Sequence, residues 1–278
     1  ITRYDLVYMN FTANGFAMYR DLLIVRYILR RKAKITIHIH ESKLEKIKSP
    51  LVQRSLKKVN IILINQGQLE DLKAIYPQCV VVKNALPDYY DNHFEHITKD
   101  QGKLRLLYMS NISIPKGSAL LQKLAEEIHR ESLDVSLTIC GGILDETSSG
   151  SIHEITEKYS FVDYKGPVND RDQKMELYRN HDFLLFRSDE NYEVYPLVYI
   201  ESLMSGLPVI TTKQTISEQI VSNDSGIHLQ NENLELTLNE MLQGHSLTIL
   251  SGNARSKYAN EYNFEDFINK IKQTIYGA

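Results

Sequence analysis

A chain of 278 residues is longer than one core comfortably serves and points to two domains of ordinary size. Its 42% hydrophobic and 24% charged residues exclude a disordered or fibrous protein. Net charge is −3, but it is unevenly spread: residues 1–99 hold 16 Lys and Arg against 9 Asp and Glu, and the remainder holds 16 against 26. The basic residues gather at Arg26, Arg30, Arg31, Lys32 and Lys34, and again at Lys43, Lys46, Lys48, Arg54, Lys57 and Lys58. This stretch reads either as a solvated helix face or as a surface for anionic lipid headgroups. Aromatic platforms are not interleaved with the charges, so nucleic acid is not an expected partner.

The strand-like run Leu6–Met9 comes first, followed by Tyr19, Leu22, Leu23, Arg26, Tyr27 and Leu29 at helical spacing. Further strand candidates are Ile35–His40, Ile61–Ile64 and Val80–Val82, and Asn84–Asn92, with Pro87 and two Asp, serves as a linker. A second alternating series then begins with the strand Leu104–Met109 and a helix from Lys116 to Glu131. The strand Val135–Cys140 ends in Gly141-Gly142. Phe161–Tyr164, a helix around Gln173–Tyr178, Phe183–Phe186, a helix through Tyr199–Met204 and Pro208–Thr211 continue it, and Glu265–Ile275 closes the chain as an amphipathic helix. Such alternation predicts parallel α/β architecture. The longest apolar runs are far too short to span a bilayer. Cys79 and Cys140 lie apart in apolar runs, as buried thiols of a reducing compartment do. The nine histidines form no cluster with metal-ligand spacing, and no metal site is expected.

The densest chemistry lies in Glu193-Val194-Tyr195-Pro196-Leu197-Val198-Tyr199-Ile200-Glu201. Pro196 suits the first turn of a helix, where its missing donor costs nothing. The backbone N–H groups of Leu197 and Val198 then point out of a positive helix end, a ready site for phosphate. Glu193, just before that end, can hold sugar hydroxyls, and Glu201, two turns in, can accept hydrogen bonds from a ribose.

This nonapeptide resembles the E-x7-E element of the family-4 retaining glycosyltransferases. Ser205-Gly206-Leu207-Pro208-Val209-Ile210-Thr211 is similar to the strand that follows it in that family, and Ser217-Glu218-Gln219-Ile220-Val221 with Gly226 to the continuation. Ser110-Asn111-Ile112-Ser113-Ile114-Pro115-Lys116-Gly117 resembles the family's Gly-Arg-x-x-x-x-Lys-Gly loop, with Asn111 in place of the arginine, and Phe186-Arg187-Ser188 stands where Pro-Ser is usual. The resemblance implies a GT-B fold of two Rossmann-like parallel-sheet domains. These are an incomplete acceptor domain over 1–90, a donor-binding domain over 91–262 and a closing helix over 263–278 that packs back toward the first domain. The family's opening strand and glycine-containing loop have no counterpart here, so an N-terminal segment is expected to be missing.

The resemblance also implies roles. Lys116 neutralises the diphosphate while Asn111 and Gly117 line its loop. Gly141 and Gly142 let backbone approach the nucleotide, Gly166 and Val168 cradle the base, and Tyr195, Pro196, Leu197, Val198 and Glu201 complete donor binding. Glu193 positions the sugar, and His40 contacts a sugar in the cleft or is a satisfied core histidine. The implied reaction is retaining transfer of a hexose or N-acetylhexosamine from a nucleoside diphosphate sugar, UDP-sugar favoured, with no cofactor. The abundance of Ile, Lys, Asn and Tyr and the absence of Trp fit an AT-rich bacterial genome. The expectation is therefore bacterial surface polysaccharide synthesis, capsule or O-antigen, on a glycan or lipid-linked acceptor. The protein would be cytoplasmic and peripheral on the inner face of the cell membrane. The alternative is a non-catalytic sugar-nucleotide-binding subunit of a transferase complex.

Overall fold

Strand and helix alternate along the whole chain in the computed structural model, which describes residues 5–41, 44, 47, 49–90, 103–187, 195–212, 215–229 and 247–277. Two compact units result, one of Ile1–Leu86, Glu193–Tyr195 and Tyr262–Ala278, the other of Pro87–Tyr192 and Pro196–Glu261.

In the first unit β1 (Leu6–Asn10), α1 (Gly15–Arg30), β2 (Lys34–Ile39), α2 (Pro50–Leu56), β3 (Asn60–Leu63), α3 (Gln66–Leu72) and β4 (Cys79–Val81) succeed one another. The four strands are parallel, in the order β1-β2-β3-β4. Ile35, Ile37 and Ile39 of β2 and Ile61 and Leu63 of β3 are buried with Leu22, Val25 and Ile28 of α1. The run of β-branched residues is what a strand covered by other elements requires.

The second unit is built from β5 (Leu104–Met109), α4 (Ser118–Arg130), β6 (Val135–Cys140), α5 (Glu146–Lys158), β7 (Val162–Gly166), α6 (Arg171–Asn180), β8 (Phe183–Leu185), α7 (Leu197–Met204), β9 (Val209–Thr212), α8 (Thr215–Ile220), β10 (Gly226–Leu229) and α9 (Leu247–Glu261). Its six parallel strands run β10-β9-β8-β5-β6-β7. The chain thus starts at β5 in the middle, runs out to β7, and returns past β5 to build the other half from β8 to β10. Leu120, Leu121, Leu124, Ala125 and Ile128 form the buried stripe of α4 against this sheet. Where the two halves meet, buried Asp182 accepts from the backbone N–H of Arg105 at 2.7 Å and from its guanidinium at 3.2 Å, while the N–H of Asp182 donates to the Arg105 carbonyl at 2.8 Å. Reciprocal, charge-assisted bonds of this kind fix the start of β8 beside the start of β5.

A last helix, α10 (Phe264–Tyr276), belongs to the first unit and packs on β2 and β3. Asn263 caps it, its side chain accepting from the N–H groups of Glu265 and Asp266 at 2.9 and 3.2 Å. The sequence reading assigned no element at α3, α5, α8 or β10 and did not separate α9 from the closing helix. β10 is only four residues long and is interrupted by His228, and Gly226 is its first residue. A Cβ on it would lie 2.4 Å from the Val209 carbonyl, so the bare backbone is what lets β10 close on β9. Among the described residues no helix is long and apolar enough to cross a membrane.

Two histidines sit at the carboxyl end of β2. His38 is buried and its Nδ1 shares a hydrogen bond with the Tyr8 hydroxyl at 2.7 Å; its Nε2 meets no partner among the described residues. The His40 ring lies 4.0 Å away, centroid to centroid. Burial, and then the neighbouring His40, lower the His38 pKa from 6.5 to about 4. Between those values the unfolded chain binds a proton that the folded chain refuses. Stability is therefore unaffected by His38 above pH 6.5 and falls as pH drops toward 4, by about 3 kcal/mol in all. Proton NMR should place the His38 midpoint near 4, and urea melts should show His38→Gln losing less stability than wild type between pH 7 and 4.5. An ordinary His38 midpoint contradicts this account.

Candidate functional site

In an open parallel sheet the connections at a reversal of strand order leave on opposite sides, and the crevice between them receives ligands at the carboxyl ends of the strands. In the second unit that point lies between β5 and β8. The loop leaving β5 carries Asn111, Lys116 and Gly117; the segment leaving β8 begins with Phe186 and Arg187 and leads to α7.

The β5 loop is held from three sides. Below it, the buried Tyr108 hydroxyl donates to the Lys116 carbonyl at 2.9 Å. Beside it, the ladder to β6 continues past the strands: Ser110 N–H donates to Cys140 at 3.0 Å, Ile112 N–H to Gly142 at 2.8 Å, and Leu144 N–H to Ile112 at 2.9 Å. The third hold is Asp145, the N-cap of α5, which accepts from Ser148 N–H at 2.8 Å and reaches back to Ile114 N–H at 3.3 Å. The Ser148 bond chiefly holds its carboxyl below the ordinary range. Ile114–Lys116 form a short 3-10 turn, ended by Gly117 at φ +94°, a left-handed conformation that glycine adopts without a Cβ penalty. Lys116 is half-buried, with Nζ 3.5 Å from the Ser110 hydroxyl.

Gly141 and Gly142 meet this loop from β6. The N–H of Gly141 donates to the Gly166 carbonyl at 2.9 Å, and the Tyr164 hydroxyl donates to the Gly141 carbonyl at 2.9 Å. A Cβ at Gly142 would stand 3.4 Å from Asn111 Oδ1 and 3.8 Å from the Pro167 ring. Asn111, Gly142 and the Gly166-Pro167 turn are thus brought together at three successive strand ends, with Val168 half-buried just beyond. Arg187 arrives from the other half: its Cβ stands 3.5 Å from where a Cβ on Gly117 would lie. The sequence reading noted Arg187 only as a departure and gave it no place in the site.

Helix α7, which follows β8, begins at Leu197. Pro196 stands as its N-cap, with φ −63° and ψ 116°, and makes no side-chain capping bond. This corrects the placement of Pro196 inside the first turn: its extended ψ is that of a residue leading into a helix. The N–H groups of Leu197 and Val198 find no acceptor among the described residues. Glu201 lies on the second turn. Lys174 Nζ donates to its Oε1 at 2.6 Å and the Tyr178 hydroxyl to its Oε2 at 2.7 Å, both from α6. A cavity of about 200 Å³ opens between the two helices, with Asn169 and Arg171 exposed at its mouth and Tyr178 and Met204 buried at its base. The sequence reading missed Lys174 and Tyr178. Tyr89 and Tyr90 fasten the preceding segment to the same helices, Tyr90 through a 2.8 Å bond to Ser205 Oγ. Asp88 pairs with Arg255 of α9, which also donates to the Met204 carbonyl at the end of α7 at 2.7 Å.

The remaining expected residues fall elsewhere. Glu193 lies outside the described residues, buried Tyr195 groups with the first unit, and His40 is exposed at the carboxyl end of β2 in that same unit.

Comparison with known proteins places this geometry. The family model of the glycosyl transferases group 1 matches residues 90–256. No curated protein sequence matches the chain. S. aureus TarM, solved with UDP, fondaparinux and α-GlcNAc-glycerol, superposes with a TM-score of 0.66 at 18% identity, over 88% of this chain and 51% of its own. The chain thus spans about half the length of TarM. Anabaena HepE, solved with UDP, gives a TM-score of 0.74 at 14% identity, over 92% of this chain and 76% of its own. WaaG, a glycosyltransferase involved in lipopolysaccharide biosynthesis, gives 0.66 at 17% identity, over 94% and 82%. The two parallel-sheet Rossmann-like domains are those of the GT-B fold expected from the sequence.

Two glycines of the second unit separate packing from propensity. Gly141 has φ +147°, and a Cβ there would stand 1.7 Å from the Ser110 carbonyl, so Gly141→Ala must push the β5 and β6 ends apart. The expected loss is about 3 kcal/mol or more, from overpacking and backbone strain together. Gly150, inside α5 with nothing within 4 Å, should behave oppositely. Gly150→Ala is expected to stabilise by about 0.5–1 kcal/mol. Urea melts check both, and a neutral Gly141→Ala rules out the close approach.

Proposed function

Because the chain belongs to the group 1 glycosyl transferases, we propose that it is a family-4, E-x7-E enzyme that moves a hexose or N-acetylhexosamine from a UDP-sugar to a glycan or lipid-linked acceptor with retention of configuration. The observation that carries this reading is the reversal of strand order between β5 and β8, with Lys116 on the loop that leaves β5 and, after β8, the start of α7, whose first N–H groups find no acceptor among the described residues. Both are electropositive, and both are fixed before any ligand arrives, as stabilisation of developing charge demands. Solved structures of HepE and TarM hold UDP, which favours uracil as the base.

In this reading Lys116 and the N–H groups of Leu197 and Val198 hold the diphosphate. As the bond between the anomeric carbon and the diphosphate oxygen breaks, negative charge grows on that oxygen, and the ammonium and helix end stabilise it. The departing diphosphate takes the proton of the acceptor hydroxyl, whose oxygen forms the new bond on the same face. Glu201 accepts from the ribose and Glu193 holds the sugar.

Lys116→Ala should remove a charge-assisted contact of about 1.5–3 kcal/mol, weakening UDP about ten- to a hundredfold by calorimetry. Uridine, lacking phosphate, should bind as before. Glu201→Ala should weaken free UDP, whereas Glu193→Ala should spare UDP and impair transfer. Equal losses of UDP affinity in the two glutamate variants contradict this division of roles.

A membrane-bound acceptor draws support from the basic first unit. Arg31, Lys32 and Lys34 lie where α1 turns into β2, and Lys57 and Lys58 where α2 turns into β3. All five mark the amino edge of that sheet, opposite the edge that His40 follows. Each near anionic lipid contributes about 1 kcal/mol, fading over roughly 8 Å. Co-sedimentation with anionic vesicles should fall with added salt and with glutamine at Arg31, Lys32, Lys57 and Lys58. Indifference to anionic vesicles at low salt points to a soluble acceptor.

A further inference from the structure

Three groups meet in the cavity between α6 and α7, and only one of them was read from the sequence. Glu201 carries a carboxylate with 16% of its side chain exposed. Lys174, 27% exposed, donates to one oxygen at 2.6 Å, and buried Tyr178 donates to the other at 2.7 Å. An ionised carboxylate offers about four acceptor positions, two on each oxygen. Each donor here takes one position on a different oxygen, which leaves one on each. Glu201 lines the cavity, so acceptor capacity remains there on both oxygens of a carboxylate that two donors hold in orientation. Two adjacent acceptors at fixed spacing match two adjacent hydroxyl donors, those of a vicinal diol. A carboxylate held at one oxygen only would turn about its last bond and lose that match.

We propose that Lys174 and Tyr178 are positioning residues that orient the Glu201 carboxylate to receive both hydroxyls of a ribose, and so make the protein select ribonucleotides over 2′-deoxyribonucleotides; this rests on the donor-site reading above. The environment supports it. Burial, and after it the Glu201 charge, raise the Tyr178 pKa well above its ordinary value, so its hydroxyl keeps its proton and remains a donor. Arg171 lies over the Tyr89 ring, 5.4 Å from its centroid, and both line the same cavity beside the diol position. Discrimination follows from the cost of leaving a largely buried acceptor unpaired: a 2′-deoxy sugar abandons one of the two oxygens.

The test compares UDP with 2′-deoxy-UDP by calorimetry on wild type, Lys174→Met, Tyr178→Phe, Lys174→Arg and Lys116→Ala, each checked by melting temperature. Wild type should prefer UDP about tenfold or more. Lys174→Met and Tyr178→Phe should bring the ratio to about threefold or less, chiefly by weakening UDP, and Lys174→Arg should restore part of it. A merely structural role would weaken both nucleotides equally, which overturns the proposal. So does an unchanged ratio in both variants. Lys116→Ala keeps the two levels apart, since it should weaken both nucleotides and leave their ratio intact. If Lys116→Ala behaves so while the Lys174 and Tyr178 variants keep the wild-type ratio, the donor site stands and this inference falls. If wild type binds neither nucleotide, the donor-site reading itself is wrong.

Discussion

The reversal of strand order between β5 and β8 is the constraint on which the functional half of the molecule depends. A parallel sheet wound in one direction would send every loop the same way and close its carboxyl edge with helix starts. By returning past β5, the chain separates two neighbouring connections and opens a crevice. The Arg105–Asp182 pair at the far end of the same two strands fixes their relative position. The loop that leaves β5 carries Lys116, and the segment that leaves β8 leads to α7.

Rigidity comes from backbone more than from side chains. The loop that carries Lys116 is tied to β6, to the α5 cap and to Tyr108 by bonds that mostly engage main-chain groups. Gly141 allows this because its bare Cα lets β6 come against the Ser110 carbonyl. A charge placed on such a loop does not have to be ordered when an anion binds, and that economy of reorganisation underlies electrostatic catalysis. Glu201 shows the complementary solution, a carboxylate on a flexible stem held still by two donors on a neighbouring helix.

Much of this was legible in the residues, and the exceptions have physical reasons. Alternation of short apolar runs with helical spacing located β5, β6 and β8 closely, because each is short and mostly apolar: Leu104, Leu106, Leu107 and Met109 in β5, Val135, Leu137 and Ile139 in β6, and Phe183-Leu184-Leu185 in β8. Gly141-Gly142 and Lys116-Gly117 were legible because glycine after a strand has few other uses. Lys174 and Tyr178 were not, since each is ordinary on a polar helix and their partner lies 27 and 23 positions away, a relation only the fold creates. Pro196 was misplaced by one position because a proline fits both the first turn and the residue leading into it. β10 was missed because its close approach to β9 depends on a missing side chain.

Charge is arranged on two scales. Locally, the proposed site pairs the Lys116 ammonium with the start of α7. Globally, the first third of the sequence is basic and the rest acidic. The central claim concerns the local arrangement, and the most direct measurement is a crystal structure of the protein grown with saturating UDP. The account predicts the diphosphate within hydrogen-bonding distance of Lys116 Nζ and of the Leu197 and Val198 N–H groups, with the ribose at Glu201. A UDP molecule bound away from the crevice between β5 and β8, or a crevice left empty at saturation, would contradict it.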